Sequence, residues 1–176
     1  MQASHRSTDG TRSPRKMVTN PKMTERPEQH YVGIRARVTM EELGRVVPPL
    51  WPEVFVWLGE RGMAAAGPPF IRYLIVNMEG ELEVDAGVPV AAAVSGDERV
   101  QPGVLPAGQY ATLIHTGPPE DLVGANAALL RWGAESGAEW QMSGERWAAR
   151  LESSLTDPSK EPDRNKWQTE VAYLTA

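Results

Sequence analysis

Bulky apolar residues alternate with Gly or Arg along Tyr31-Val-Gly-Ile-Arg-Ala-Arg-Val38, the period-2 pattern of a half-buried strand. The period then changes. Over 41–61 the apolar positions Leu43, Val47, Leu50, Trp51, Val54 and Leu58 recur at threes and fours, which predicts a helix with one apolar face. Pro48, Pro49 and Pro52 must break or restart that helix near its middle, and Pro52 suits a first turn. Gly62 and Gly67-Pro68-Pro69 end the element. Two strand-like runs follow, 70–78 and 81–86, and Glu79-Gly80 between them predicts a hairpin.

Beyond a loop rich in Gly, Ser and Asp, the order repeats. Val104-Leu-Pro-Ala-Gly-Gln leads into a strand over 110–115. Gly117-Pro118-Pro119-Glu120-Asp121 reads as a helix start with proline and acids in the first turn. Leu122, Ala125, Leu129 and Trp132 mark one face of a helix ending near Ser136-Gly137, where glycine is a natural C-cap. Residues 147–155 read as a strand, 156–166 as a Pro/Asp/Lys loop and 167–175 as a terminal strand. Two consecutive β-α-β-β units predict an α+β domain with pseudo-twofold symmetry. The sheet should be mostly antiparallel, with two helices on one face and a ligand groove where the repeats meet.

Composition narrows the chemistry. A chain of 176 residues with 41% hydrophobic residues has enough apolar surface for one sizeable core. Cysteine is absent, which excludes disulfides, a thiolate nucleophile and cysteine-held metal, and makes a reducing cytoplasm the expected location. His5, His30 and His115 are far apart, without the i, i+4 spacing of metal-binding helices, so no metal or cofactor is expected. No apolar run reaches the roughly 20 residues of a membrane helix, and no membrane partner is expected.

The net charge of −5 is unevenly spread. Residues 1–29 hold six Lys or Arg against three acids, a balance of +3, which leaves about −8 for the rest. An acidic domain repels phosphate backbones, so nucleic acid is not an expected partner of the core. Residues 1–29, rich in Ser, Thr, Pro and Arg, are predicted as a disordered tail ahead of a domain over 30–176. Phosphate-binding Gly loops, Ser nucleophile elbows and carboxylate clusters at metal spacing are all missing, leaving conventional enzyme classes without support.

Six short segments, in order, carry a resemblance. They are Gly67-Pro-Pro-Phe-Ile-Arg-Tyr73, Glu81-Leu-Glu-Val-Asp-Ala-Gly-Val-Pro-Val90, Leu105-Pro-Ala-Gly-Gln-Tyr-Ala111, His115-Thr-Gly-Pro118, Thr156-Asp-Pro158 and Trp167-Gln-Thr-Glu-Val171. Together they resemble the signature of GyrI-like small-molecule-binding domains, the effector-binding domains of bacterial drug-sensing regulators, in a stand-alone form. The resemblance implies a groove that binds bulky aromatic or cationic compounds, including xenobiotics, through aromatic rings and one or two glutamates.

On that resemblance Glu170 is the first site candidate, matching the family's strand glutamate between Trp167 and Tyr173. Glu152 is the second; alternation puts Arg150, Glu152 and Ser154 on one face of their strand. The family's tyrosine two residues beyond this glutamate is Ser154 here. Tyr73, Tyr110, Trp147, Trp167, Trp140 and Trp51 are candidate groove walls. Two other functions follow from the resemblance. One is a hydrolase of cyclopropane-containing genotoxins, with Glu152 or Glu170 activating water; the other is a gyrase-inhibitor-like protein-interaction module.

Overall fold

The computed structural model describes residues 17–176, and residues 1–16 lie outside it, so the disorder predicted for that stretch and His5 are not addressed. The ordered unit begins earlier than residue 30. Lys22–Arg26 forms strand β1, paired antiparallel with a strand of the second repeat, and Val18 bridges His115. The predicted tail is thus corrected over 22–29, because a polar segment can hold an edge position where backbone pairing, not side-chain burial, fixes it.

The first repeat runs β2 (Gln29–Val38), α1 (Met40–Val46), α2 (Leu50–Glu60), β3 (Phe70–Ile75) and β4 (Leu82–Pro89). Thr39 starts α1 with a capping box: its hydroxyl accepts from Glu42 N, and the Glu42 carboxylate accepts from Thr39 N at 2.9 Å. The helix stops before Pro48-Pro49, and α2 restarts at Leu50 with Pro52 in its first turn, as the prolines require. The second repeat runs β6 (Gly108–Thr116), α3 (Leu122–Ser136), β9 (Arg150–Ser154) and β10 (Gln168–Leu174). Gly137 closes α3 in the left-handed conformation at φ 76°.

Three further short strands were not expected. Gln101–Leu105 (β5) lies in the segment read as a loop; Met142–Ser143 (β7) pairs Arg146–Trp147 (β8), and β8 is separated from β9 by Ala148-Ala149. The single strand predicted over 147–155 is therefore two pieces.

All pairings are antiparallel, in the order β1-β6-β10-β9-β3-β4-β2-β5. The order is symmetric about the β9–β3 seam: β9, β10 and β6 of one repeat mirror β3, β4 and β2 of the other. Each outer strand is borrowed. β1, which precedes the first repeat, pairs with β6 of the second, and β5, which precedes the second, pairs with β2 of the first.

This exchange forces curvature. In a flat sheet β1 and β2 would lie six strand spacings apart, roughly 29 Å. Only Pro27 and Glu28 connect them, and three peptide steps span at most about 11 Å. Pro106 and Ala107 impose the same limit on β5 and β6. The sheet accordingly curls into a half-barrel, and Tyr31 and Leu105 from one end share a core cluster with Tyr110 and Leu174 from the other.

Side chains sort by face. The row Ala86, Ile71, Glu152, Val171, Leu113 runs across β4, β3, β9, β10 and β6 under the helices. Here α1 and α2 pack on the first repeat's strands, and α3 packs on the second's. The neighbouring row Gly87, Phe70, Ser153, Glu170, Ile114 points the other way, into the cluster of Tyr31, Phe70, Tyr110 and Leu151. A Cβ on Gly87 would stand 2.6 Å from the Phe70 ring, so this crossing requires glycine.

Candidate functional site

Glu152 sits mid-strand in β9 on the helix-covered face, next to the seam and 9% exposed. The Tyr73 hydroxyl, reaching over from β3 of the other repeat, donates to its Oε1 at 2.8 Å. Asn126 of α3 donates through Nδ2 to Oε2, also at 2.8 Å, and the Tyr173 hydroxyl donates to Asn126 Oδ1. Each carboxyl oxygen thus has a donor, which a buried carboxyl requires. Burial pushes the Glu152 carboxyl above the ordinary glutamate value, against the lowering effect of Tyr73, Asn126, Arg150 and His115. The Tyr73 phenol is also raised, by burial and then by the Glu152 charge.

A cluster of aromatic rings adjoins this centre through Tyr173. Trp147 and Tyr173 lie 5.1 Å apart between ring centres, Trp140 stands edge-on to Tyr173 at 5.2 Å, and Trp140 and Trp147 are 6.4 Å apart. Gly133 in α3 makes room for Trp140: a Cβ there would meet the indole at 2.3 Å. Arg150, two residues before Glu152, lays its guanidinium near the rings of Trp147, Tyr173 and Tyr73. His115 is buried at 1% exposure on the same face, its Nδ1 without a hydrogen-bond partner.

The eight candidate residues do not form one site. Tyr73, Glu152, Trp147 and Trp140 come together. Trp51 packs against the first-repeat cluster that contains Tyr73, and its indole donates to the Phe70 carbonyl at 3.0 Å. Glu170 and Tyr110 stand on the opposite face. There Arg26 pairs with Glu170 at 2.7 Å and lies 5.4 Å from the Tyr110 ring. This pair edges a pocket of about 280 Å³ lined chiefly by Phe70, Leu105, Tyr110 and Leu151. Trp167 joins neither group; its indole donates to the Glu161 carbonyl, and Arg164 stands over its ring.

Sequence reasoning missed Asn126, Tyr173, Arg150 and Arg26 as site members. Asn126 had a signal, a polar residue beside Ala125 on the inward stripe of a helix. Arg26 had none, since it falls in the segment read as a tail. Ser154, at the position of the family's tyrosine, turns its hydroxyl to the Thr156 carbonyl, and the hydroxyl on Glu152 comes instead from Tyr73.

A seam between two repeated units, with a buried carboxyl beside an aromatic cluster, has the make-up of an α+β domain that can hold a small molecule. The chain belongs to the GyrI-like small molecule binding domain family, whose match covers residues 19–146. Among curated proteins, none matches the sequence. Among solved structures, the EcmrR C-terminal domain is similar, with a TM-score of 0.73 and 20% identity over 89% of this chain and 97% of that one. Against the longer EcmrR chain in its DNA complex, this chain spans 58% of the length. SAV2435, solved with bound tetraphenylphosphonium, has a TM-score of 0.60 and 12% identity over 90% of this chain and 94% of that one. A hydrolase from Listeria innocua has a TM-score of 0.59 and 14% identity over 89% and 91%. These likenesses carry the fold. Among the described residues no helix is long and apolar enough to cross a membrane, and no group of three His, Cys, Asp or Glu is arranged to hold a metal.

Proposed function

We propose that the chain binds an aromatic organic small molecule on the helix-covered side of the β9–β3 seam, with Trp147, Tyr173 and Trp140 as walls and Glu152 as the polar anchor. The observation that carries this reading is the carboxyl of Glu152, drawn between the two repeats by Tyr73 and Asn126, with Tyr173 bonded to Asn126 and packed against Trp147 and Trp140. Such a centre joins stacking surface to a few fixed polar groups, the usual make-up of a ligand site. Glu152 takes the anchoring role that the resemblance gave first to Glu170, because Glu170 is matched by Arg26 on the far face. Multidrug and xenobiotic binding is the broader form of the same reading.

The test is a tryptophan-fluorescence titration with the neutral planar probe 2-acetylnaphthalene. Micromolar binding is expected, weakened tenfold or more in Trp147→Leu and in Glu152→Ala, about 1.4 kcal/mol, and unchanged in Glu170→Gln. Binding that follows Glu170 and ignores Trp147 would move the site to the other face.

A second reading, hydrolysis of a strained electrophile in the same place, is favoured by one observation. A buried carboxyl with a raised pKa and a tyrosine hydroxyl on one oxygen is suited to take a proton from water. Turnover of a cyclopropane-containing substrate, lost in Glu152→Gln, would support it; stoichiometric binding alone would count against it.

A further inference from the structure

Arg150 extends from β9 on the same side as Glu152, and its guanidinium carbon lies 4.7 Å from the Trp147 ring centre, 4.8 Å from Tyr173 and 5.9 Å from Tyr73. A planar, weakly hydrated guanidinium stacks well on aromatic faces. These rings therefore form a seat for a flat cation, and the chain's own arginine already fills it.

Arg150 makes no close ion pair, although its charge acts on the Glu152 carboxyl. Arg26, Arg35, Arg37, Arg61, Arg99 and Arg164 each pair with a carboxylate within 4.0 Å. Among the described residues Arg45, Arg72, Arg131, Arg146 and Arg150 have no such pair; Arg72, also half-buried, donates instead to the Tyr31 hydroxyl and to the Val104 and Ala148 carbonyls, whereas the Arg150 side chain makes no hydrogen bond there. Its Nε is buried and donates to nothing. Glu152, two residues along the same strand face, is the obvious partner, but its two oxygens are engaged by Tyr73 and Asn126. A cation fixed on rings, with an idle donor beside it, lacks an anionic acceptor.

We propose that the ligand of this site is an aromatic carboxylate, its ring stacked among the aromatic walls and its carboxylate held by the Arg150 guanidinium. An incoming cation meets the opposite situation, because it faces the like charge of Arg150. The inference rests on the binding site proposed above and assigns the chemistry of its ligand.

A matched pair of probes tests it: 2-naphthoate and 2-naphthylmethylammonium share a ring system and differ in charge. Tryptophan fluorescence of the full chain is titrated with each, and with 2-acetylnaphthalene as the uncharged reference. The wild type is expected to hold 2-naphthoate at least tenfold tighter than the ammonium probe. Arg150→Gln is expected to lose tenfold or more for naphthoate and to gain affinity for the ammonium probe. Arg150→Lys, which keeps the charge, should retain a preference for naphthoate, and circular dichroism checks that both variants fold. A wild type that prefers the ammonium probe overturns the proposal, as does an unchanged preference in folded Arg150→Gln. If the neutral probe binds through Trp147 while charge has no effect, the ligand class is wrong and the site stands. If none of the three probes binds, the site itself is wrong.

Discussion

Glu152 and Glu170 lie on adjacent strands, one step out of register: Glu170 faces Ser153 and Val171 faces Glu152. That single step puts them on opposite faces of the sheet, in unlike surroundings. Under the helices Glu152 is buried, bonded to neutral donors and pushed toward its uncharged form. On the other face Glu170 keeps about a fifth of its side chain in solvent and meets a full positive charge from Arg26. The same side chain is thus a desolvated, hydrogen-bonded carboxyl in one place and half of a partly solvated ion pair in the other. Burial and partner chemistry decide this; residue type does not.

The sharpest way to break this contrast is to remove each carboxylate in turn. Glu152→Ala leaves the buried Tyr73 hydroxyl without its acceptor and takes one of two acceptors from the Asn126 amide, which keeps the Leu122 carbonyl, and losing buried partners costs about 1–3 kcal/mol. Urea unfolding should report that loss through a lower midpoint at unchanged slope. A change below about 0.5 kcal/mol would mean that the cluster is hydrated, and the distinction between the faces would collapse.

A middle-sized effect separates the faces by pH. Because the folded-state pKa of Glu152 is raised by burial, the native state binds its proton more tightly than the unfolded chain does. Stability from this group is full below the unfolded value near 4.5 and is lost as pH rises through the folded value. Glu152→Gln cannot titrate. The wild type should therefore gain stability relative to Glu152→Gln as pH falls from 7.5 toward 4.5, measured by urea unfolding at each pH. A difference that is flat with pH would show that the carboxyl is not held above its ordinary value.

Much of the scaffold was legible in the sequence. The switch from period 2 to period 3.6, the three prolines and Gly137 located the strands and helices of both repeats. The edge strands were not legible. Lys22-Met-Thr-Glu-Arg26 is polar, and Gln101-Pro-Gly-Val-Leu105 contains Pro and Gly, which are depleted inside strands but tolerated at edges. Edge pairing is a backbone affair between residues 68 to 90 positions apart, and no local pattern records it. The candidate site was legible by residue type: Tyr73, Glu152, Trp147 and Trp140 were named and do meet. What failed was the grouping. Alternation along one strand puts Arg150 with Glu152, but the relative faces of Glu152 and Glu170 depend on the register between β9 and β10, fixed only when the sheet assembles. Arg26 entered through the exchanged strand β1, and with it the reason why Glu170 is not an unpaired anion.

The smallest effect is the one that tests the open face. Glu170→Gln removes the charge facing Arg26 while keeping the side chain's length and a hydrogen-bonding end. Partly solvated ion pairs contribute about 0–1 kcal/mol, so the variant should lose no more than that, and the loss should shrink further in 0.5 M NaCl as the charges are screened. Arg26→Gln should lose the same amount, and the double variant no more than either single one if the pair is the whole interaction. A loss of several kcal/mol that salt leaves untouched would make Glu170 a buried structural carboxyl, as Glu152 is. The two faces would then differ in partner alone, and the choice of Glu152 over Glu170 as the ligand anchor would rest only on the rings beside it.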